Sequence, residues 1–76
     1  MRDLKEFKMN LILLGFTQIP DKSLAYSEFV LDLLNLKIEI LEAIVVIRIK
    51  HSNIATDRYE SYDEAWPKIL TIIHDS

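Results

Sequence analysis

The chain has 76 residues, half of them hydrophobic, a net charge of -3 and no cysteine. That length gives a single domain, 1–76, near the lower limit for a self-sufficient core, and the hydrophobic content excludes a disordered tail. The missing thiols exclude a disulfide scaffold or thiolate metal site and fit a reducing cytoplasm; so mild an acidity argues against wholesale nucleic-acid binding.

Asp3 followed by Glu6 has the form of a capping box, and Leu4, Phe7, Leu11 and Leu14 then recur at helical spacing. Gly15 stands where a left-handed C-cap belongs, with Phe16 able to fold back onto Leu11. A first helix is therefore predicted from Leu4 to Leu14. The same stretch imitates a signal peptide, but Asp3 and Glu6 interrupt its basic region and its apolar core is too short, so a soluble, unprocessed chain is expected.

Pro20-Asp21 marks a turn within Thr17 to Ser23. A strand is placed from about Ala25 to Asp32, although Glu28 and Asp32 would also suit a helix. It leads through a turn near Leu34-Asn35 into the most β-branched part of the sequence. There Leu36, Ile38 and Ile40 alternate with Lys37 and Glu39, and Val45, Ile47 and Ile49 with Val46, Arg48 and Lys50. A reversal around Leu41 to Ile44, through a four-residue loop, sets Ile40 opposite Val45, Ile38 opposite Ile47 and Leu36 opposite Ile49. Glu28, Asp32, Asn35, Glu39 and Glu42 also make a helical polar stripe, but Ile44 to Ile49 would leave such a helix no polar face. The charges within residues 29 to 47 would each cost about 2 kcal/mol or more in lipid, so no membrane span is expected.

His51-Ser52-Asn53 reads as a polar loop, and Ile54 to Glu60 as an irregular strand or an approach to the last helix. Ser61 with Glu64 is a second capping box; Tyr62, Ala65, Trp66, Ile69, Leu70 and Ile73 follow at helical spacing, with Pro67 expected to kink or delay the helix. The predicted fold is α+β in the order α-β-β-β-α, a three-stranded antiparallel sheet with both helices on one face.

No constellation for catalysis emerges. His51 and His74 lack metal-ligand spacing, no serine lies in a nucleophile elbow, and one glycine builds no phosphate loop. Asp57, Glu60, Asp63 and Glu64 could form a metal or acid–base site, but they suit the positive end of a helix dipole better. No catalytic residue, metal or cofactor is assigned, and the chain is read as a non-enzyme.

The outer face of the hairpin is more informative. Leu41, Ile44 and Val46 are expected to be exposed together, edged by Lys37, Arg48 and Lys50, with Glu39 diagonal to Arg48 and Lys37 directly opposite it. Arg58 and Tyr59 form a second candidate surface, whereas Trp66 belongs to the core. These residues point to a protein-binding module that blocks or bridges a partner, of the inhibitor or adaptor type that phages and mobile elements carry, an analogy of class only. Leu41, Ile44 and Val46 also suit a homodimer contact. The rival reading is nucleic-acid binding through Lys37, Arg48, Lys50 and His51; against it, residues 34 to 50 hold no aromatic side chain to stack on bases.

Overall fold

The computed structural model describes residues 3–23, 25–51 and 54–75, the side chains at 21–23 and 54–55 excepted. Helix α1 (Leu4–Leu13) begins as its sequence dictates: extended Asp3 accepts a 2.8 Å hydrogen bond from the Glu6 N–H. It ends in a Schellman motif. Gly15, at φ +105, donates to the Ile12 carbonyl and Phe16 to that of Leu11, which turns Phe16 back into the core beside Leu11.

Five strands follow as an antiparallel meander: β1 (Thr17–Ser23), β2 (Tyr26–Leu31), β3 (Leu36–Leu41), β4 (Val46–His51) and β5 (Ile54–Tyr59). Helix α2 (Tyr62–His74) closes the chain. The protein is thus a small α+β domain, helix, five-stranded sheet, helix, and the expected three strands are corrected to five.

The first additional strand is β1, read from sequence as a turn on the Pro20-Asp21 signature. It exists because β2 offers it a ladder: Thr17 pairs with Val30, Gln18 with Phe29 and Ile19 with Glu28, before the register shifts ahead of Ser23. Pro20 falls within that irregularity on an edge strand, where its missing N–H is tolerated. The second, β5, is the irregular stretch after His51. Ser52 and Asn53, read from sequence as part of a polar loop, lie with Leu24 outside the described residues.

Between β2 and β3 a 3-10 turn (Asp32–Leu34) ends on Asn35 in the left-handed region, a conformation that asparagine tolerates well. The hairpin between β3 and β4 has the four-residue loop expected, Glu42 to Val45, but the reversal is centred one residue later than the sequence suggests. Leu41 pairs with Val46, Ile40 with Ile47, Ile38 with Ile49 and Leu36 with His51. The pairing of Ile40 with Val45 is corrected accordingly. A displacement of two residues preserves which face each side chain takes, so the aliphatic face survives while the partners change. Glu42 accounts for the difference: its N–H donates to the Ala25 carbonyl at 2.8 Å and its carboxylate holds Ser27 and Lys8, which draws the chain out of β3 at Leu41.

The inner face carries Phe29, Ile38 and Ile49 in one cross-strand row and Ser27, Ile40, Ile47 and Tyr59 in the next. Phe7 and Leu11 of α1 and Ala65, Ile69 and Ile72 of α2 join these side chains in a single buried cluster, so both helices cover this face. Each such aliphatic side chain contributes roughly 1.5 to 3 kcal/mol on burial. Phe7 also joins the helices to each other, stacked on Tyr62 at 4.9 Å between ring centroids and edge-on to Trp66 at 6.1 Å. In α2, Ser61 accepts from the Glu64 N–H at 3.1 Å. The delay expected from Pro67 does not occur: the helix starts at Tyr62 and runs through the proline, whose own carbonyl accepts from the Thr71 hydroxyl at 2.9 Å.

Candidate functional site

The helices occupy one side of the sheet; among the described residues none covers the other. Because directly opposed residues share a face, the pairings place three rows on this open side. Glu28, Glu39, Arg48 and Arg58 run across β2 to β5. Val30, Lys37 and Lys50 lie on one side of that row, and Tyr26, Leu41 and Val46 on the other.

The left half of this array is locked. Lys37 Nζ lies 3.0 Å from Glu28 Oε1 and Lys50 Nζ 3.0 Å from Glu39 Oε1. Tyr26 places its hydroxyl 2.5 Å from Glu39 Oε2 and 3.0 Å from Glu28 Oε1. One phenolic proton serves two carboxylates; the shorter contact marks Glu39 as its acceptor, while Lys37 neutralises Glu28. Burial would push the Glu39 carboxyl up, but the Tyr26 hydroxyl and Lys50 together outweigh it and hold the group below its usual value. Tyr26 is pushed well above the usual phenol range, by burial first and then by the two carboxylates it faces.

Arg48 and Arg58 complete the row without such partners. They oppose each other directly, and both are exposed. The nearest acid to Arg58 is Glu60, a loose 3.9 Å away with both side chains largely in solvent. Among the described residues Arg48 makes no ion pair.

Of the residues nominated from sequence, Lys37, Glu39, Leu41, Val46, Arg48, Lys50 and Arg58 do share this face. The apolar patch expected among them does not form. Val46 is only 3% exposed and Leu41 is half-buried; Ile44, at 67%, is exposed but sits in the hairpin loop. Tyr59 opposes Ile47 and is packed against the core, and His51 opposes Leu36, so both face the helix side. Lys37 is opposite Lys50 rather than Arg48, and Glu39 is directly opposite Arg48 rather than diagonal to it. Sequence reasoning missed Tyr26 and Glu28, whose spacing of two within a strand was the available signal.

It also missed the outer side of α1. Met9, Ile12 and Leu13 fall on the helix side opposite Phe7 and Leu11 and are 55, 52 and 77% exposed. Their offset from the Leu4, Phe7, Leu11, Leu14 stripe could have revealed them.

A second polar cluster ties the hairpin loop to the helix layer. The Glu42 carboxylate accepts from the buried Ser27 hydroxyl and pairs with Lys8 at 3.1 Å. Ser27 first and Lys8 after it hold Glu42 below the usual carboxylate value against the opposing effect of burial. Tyr62 nearby is raised by burial and by the charges of Glu42 and Asp3. Ser27 is wholly enclosed, so its hydroxyl serves as a structural tie. Of the acids considered for chemistry, Asp63 and Glu64 lie in the first turn of α2 and Asp57 on β5. Among the described residues no three acidic or imidazole side chains group closely enough to hold a metal ion. Nor, among them, is any helix long and apolar enough to cross a membrane. Comparison with protein-family models, with characterised proteins and with solved structures gives no match.

Proposed function

We propose that the protein is a non-enzymatic binding module that engages a partner protein with the open face of its sheet, blocking or bridging that partner in the manner of an inhibitor or adaptor. The observation that supports this reading is the open face itself: a pre-ordered array of charges on strands, with no helix over it among the described residues. Side chains fixed on sheet strands by mutual ion pairs present a partner with a defined pattern and little ordering cost. Its cysteine-free composition suits the reducing cytoplasm in which we place it.

Nucleic acid is the less suitable ligand. Lys37 and Lys50 are already neutralised, His51 faces the helix side, and a phosphate backbone would meet Glu28 and Glu39.

A second reading concerns self-association. With Val46 enclosed, the hairpin offers less apolar surface for a homodimer contact than expected, and the exposed Met9, Ile12 and Leu13 of α1 are the more suitable surface for one. Affinity capture from the native host separates the two surfaces. A partner protein should be retained by Leu13→Glu and lost with Arg48→Glu plus Lys37→Glu; the opposite pattern would move the binding surface to α1.

A further inference from the structure

We infer that Arg48 and Arg58 form a two-guanidinium clamp for carboxylates of an acidic segment on the partner protein. The inference rests on the proposed use of the open sheet face and names the chemistry of what docks there.

Like charges directly opposed on neighbouring strands destabilise a sheet, and their Cβ atoms stand only about 5 Å apart. Among the described residues the outer face holds three such pairs; Glu28 opposite Glu39 is an acidic one, answered by Tyr26, Lys37 and Lys50, and the other two are cationic. In one, Lys37 opposite Lys50, each lysine has a carboxylate of this chain at 3.0 Å. In the other, Arg48 opposite Arg58, no comparable answer comes from this chain among the described residues. Glu39 stands on the other side of Arg48, but its oxygens are taken by Tyr26 and Lys50. The domain therefore neutralises the acidic pair and one cationic pair and leaves Arg48 opposite Arg58 without a comparable answer. Two planar forks carried on directly opposed positions of neighbouring strands suit bidentate recognition of carboxylates, and Arg is the residue fitted to that task.

Charge complementarity selects an acidic peptide segment over a nucleic acid. The positive field is two side chains wide and bounded by Glu28 and Glu39, in a chain of net charge -3. It accommodates one or two carboxylates but repels the continuation of a phosphodiester backbone.

The test is a titration of the full chain with an oligoglutamate peptide at low salt, followed by backbone amide and arginine Nε–H shifts. Parallel arms use inorganic phosphate and a single-stranded oligonucleotide. The clamp predicts shifts centred on Arg48 and Arg58 and their strand neighbours, weakened by salt. Arg48→Gln or Arg58→Gln should each lower affinity roughly tenfold or more, with the circular dichroism spectrum unchanged and thermal stability equal or slightly higher as the repulsion is relieved. Absence of shifts at both arginines overturns the inference, as does tighter binding of phosphate or oligonucleotide than of the peptide. Capture of the native partner separates this from the broader reading. If Lys37→Glu abolishes capture while Arg48→Gln plus Arg58→Gln leaves it intact, the clamp fails and the sheet face stands; if none of these reduces it, the sheet face fails too.

Discussion

Glu42 shows how much one side chain can decide. From sequence it is an unremarkable turn residue without the left-handed preference of Asn or Gly. In the fold it accepts from buried Ser27, pairs with Lys8 of α1 and donates its N–H to Ala25, joining the helix layer, β2 and the hairpin at one point. Its carboxyl is held below the ordinary value of 4.5, so the folded state prefers the ionised form. That contribution is complete above pH 4.5 and is lost as the pH falls through the lower folded value, because the unfolded chain binds the proton first. Denaturation series at stepped pH should show wild-type stability declining below about pH 4.5, with a shallower decline for Glu42→Gln. Parallel curves for the two proteins would contradict the pairing.

The two helices and the turn after β2 follow from local chemistry. Asp3 and Ser61 as N-caps, the Gly15 C-cap and a turn near Leu34-Asn35 are all readable because each is set by a few adjacent residues. Gly15 gives the sharpest test. A Cβ placed there would meet only Leu31 Cδ1, at 3.8 Å, so space is not the constraint; φ +105 is. Gly15→Ala should therefore cost about 1 to 2 kcal/mol through backbone strain, read by urea denaturation with an unchanged m-value. A neutral result would mean that the helix end is free to rearrange. Strand β1 is the contrary case. Nothing in Thr17 to Ser23 specifies extension, and the strand depends on the hydrogen-bonding edge that β2 presents.

For the molecule as a whole, the meander pairs only neighbours in sequence, so its sheet contacts are local. The join between the two ends of the chain runs through Phe7 against Tyr62 and Trp66. Phe7 is fully buried, and truncation to alanine should cost about 3 to 5 kcal/mol. Against the typical 5 to 15 kcal/mol of a small domain, that leaves little margin, and thermal denaturation should show a large fall in midpoint. A loss under 1 kcal/mol would indicate that the helix layer is not what holds the sheet. The same plan leaves the opposite face without a covering element among the described residues, and there the proposed partner surface resides.

By itself the sequence determined the helices, their caps, the hairpin and which side chains of β3 and β4 turn inward, since period and capping are properties of short segments. It also nominated Lys37, Glu39, Arg48, Lys50 and Arg58, which the sheet gathers on one face. Tertiary structure alone decided strand β1, the choice of a strand over a helix approach for β5, the exact pairing of the hairpin, the enclosure of Val46 and the inward turn of Tyr59 and His51. Each of these depends on a ladder edge or a side-chain tie supplied by residues distant in the chain. The pairing of lysines with acids, which leaves Arg48 without an ion pair among the described residues and Arg58 with only a loose one, is likewise a matter of register, which alternation constrains only to within two residues.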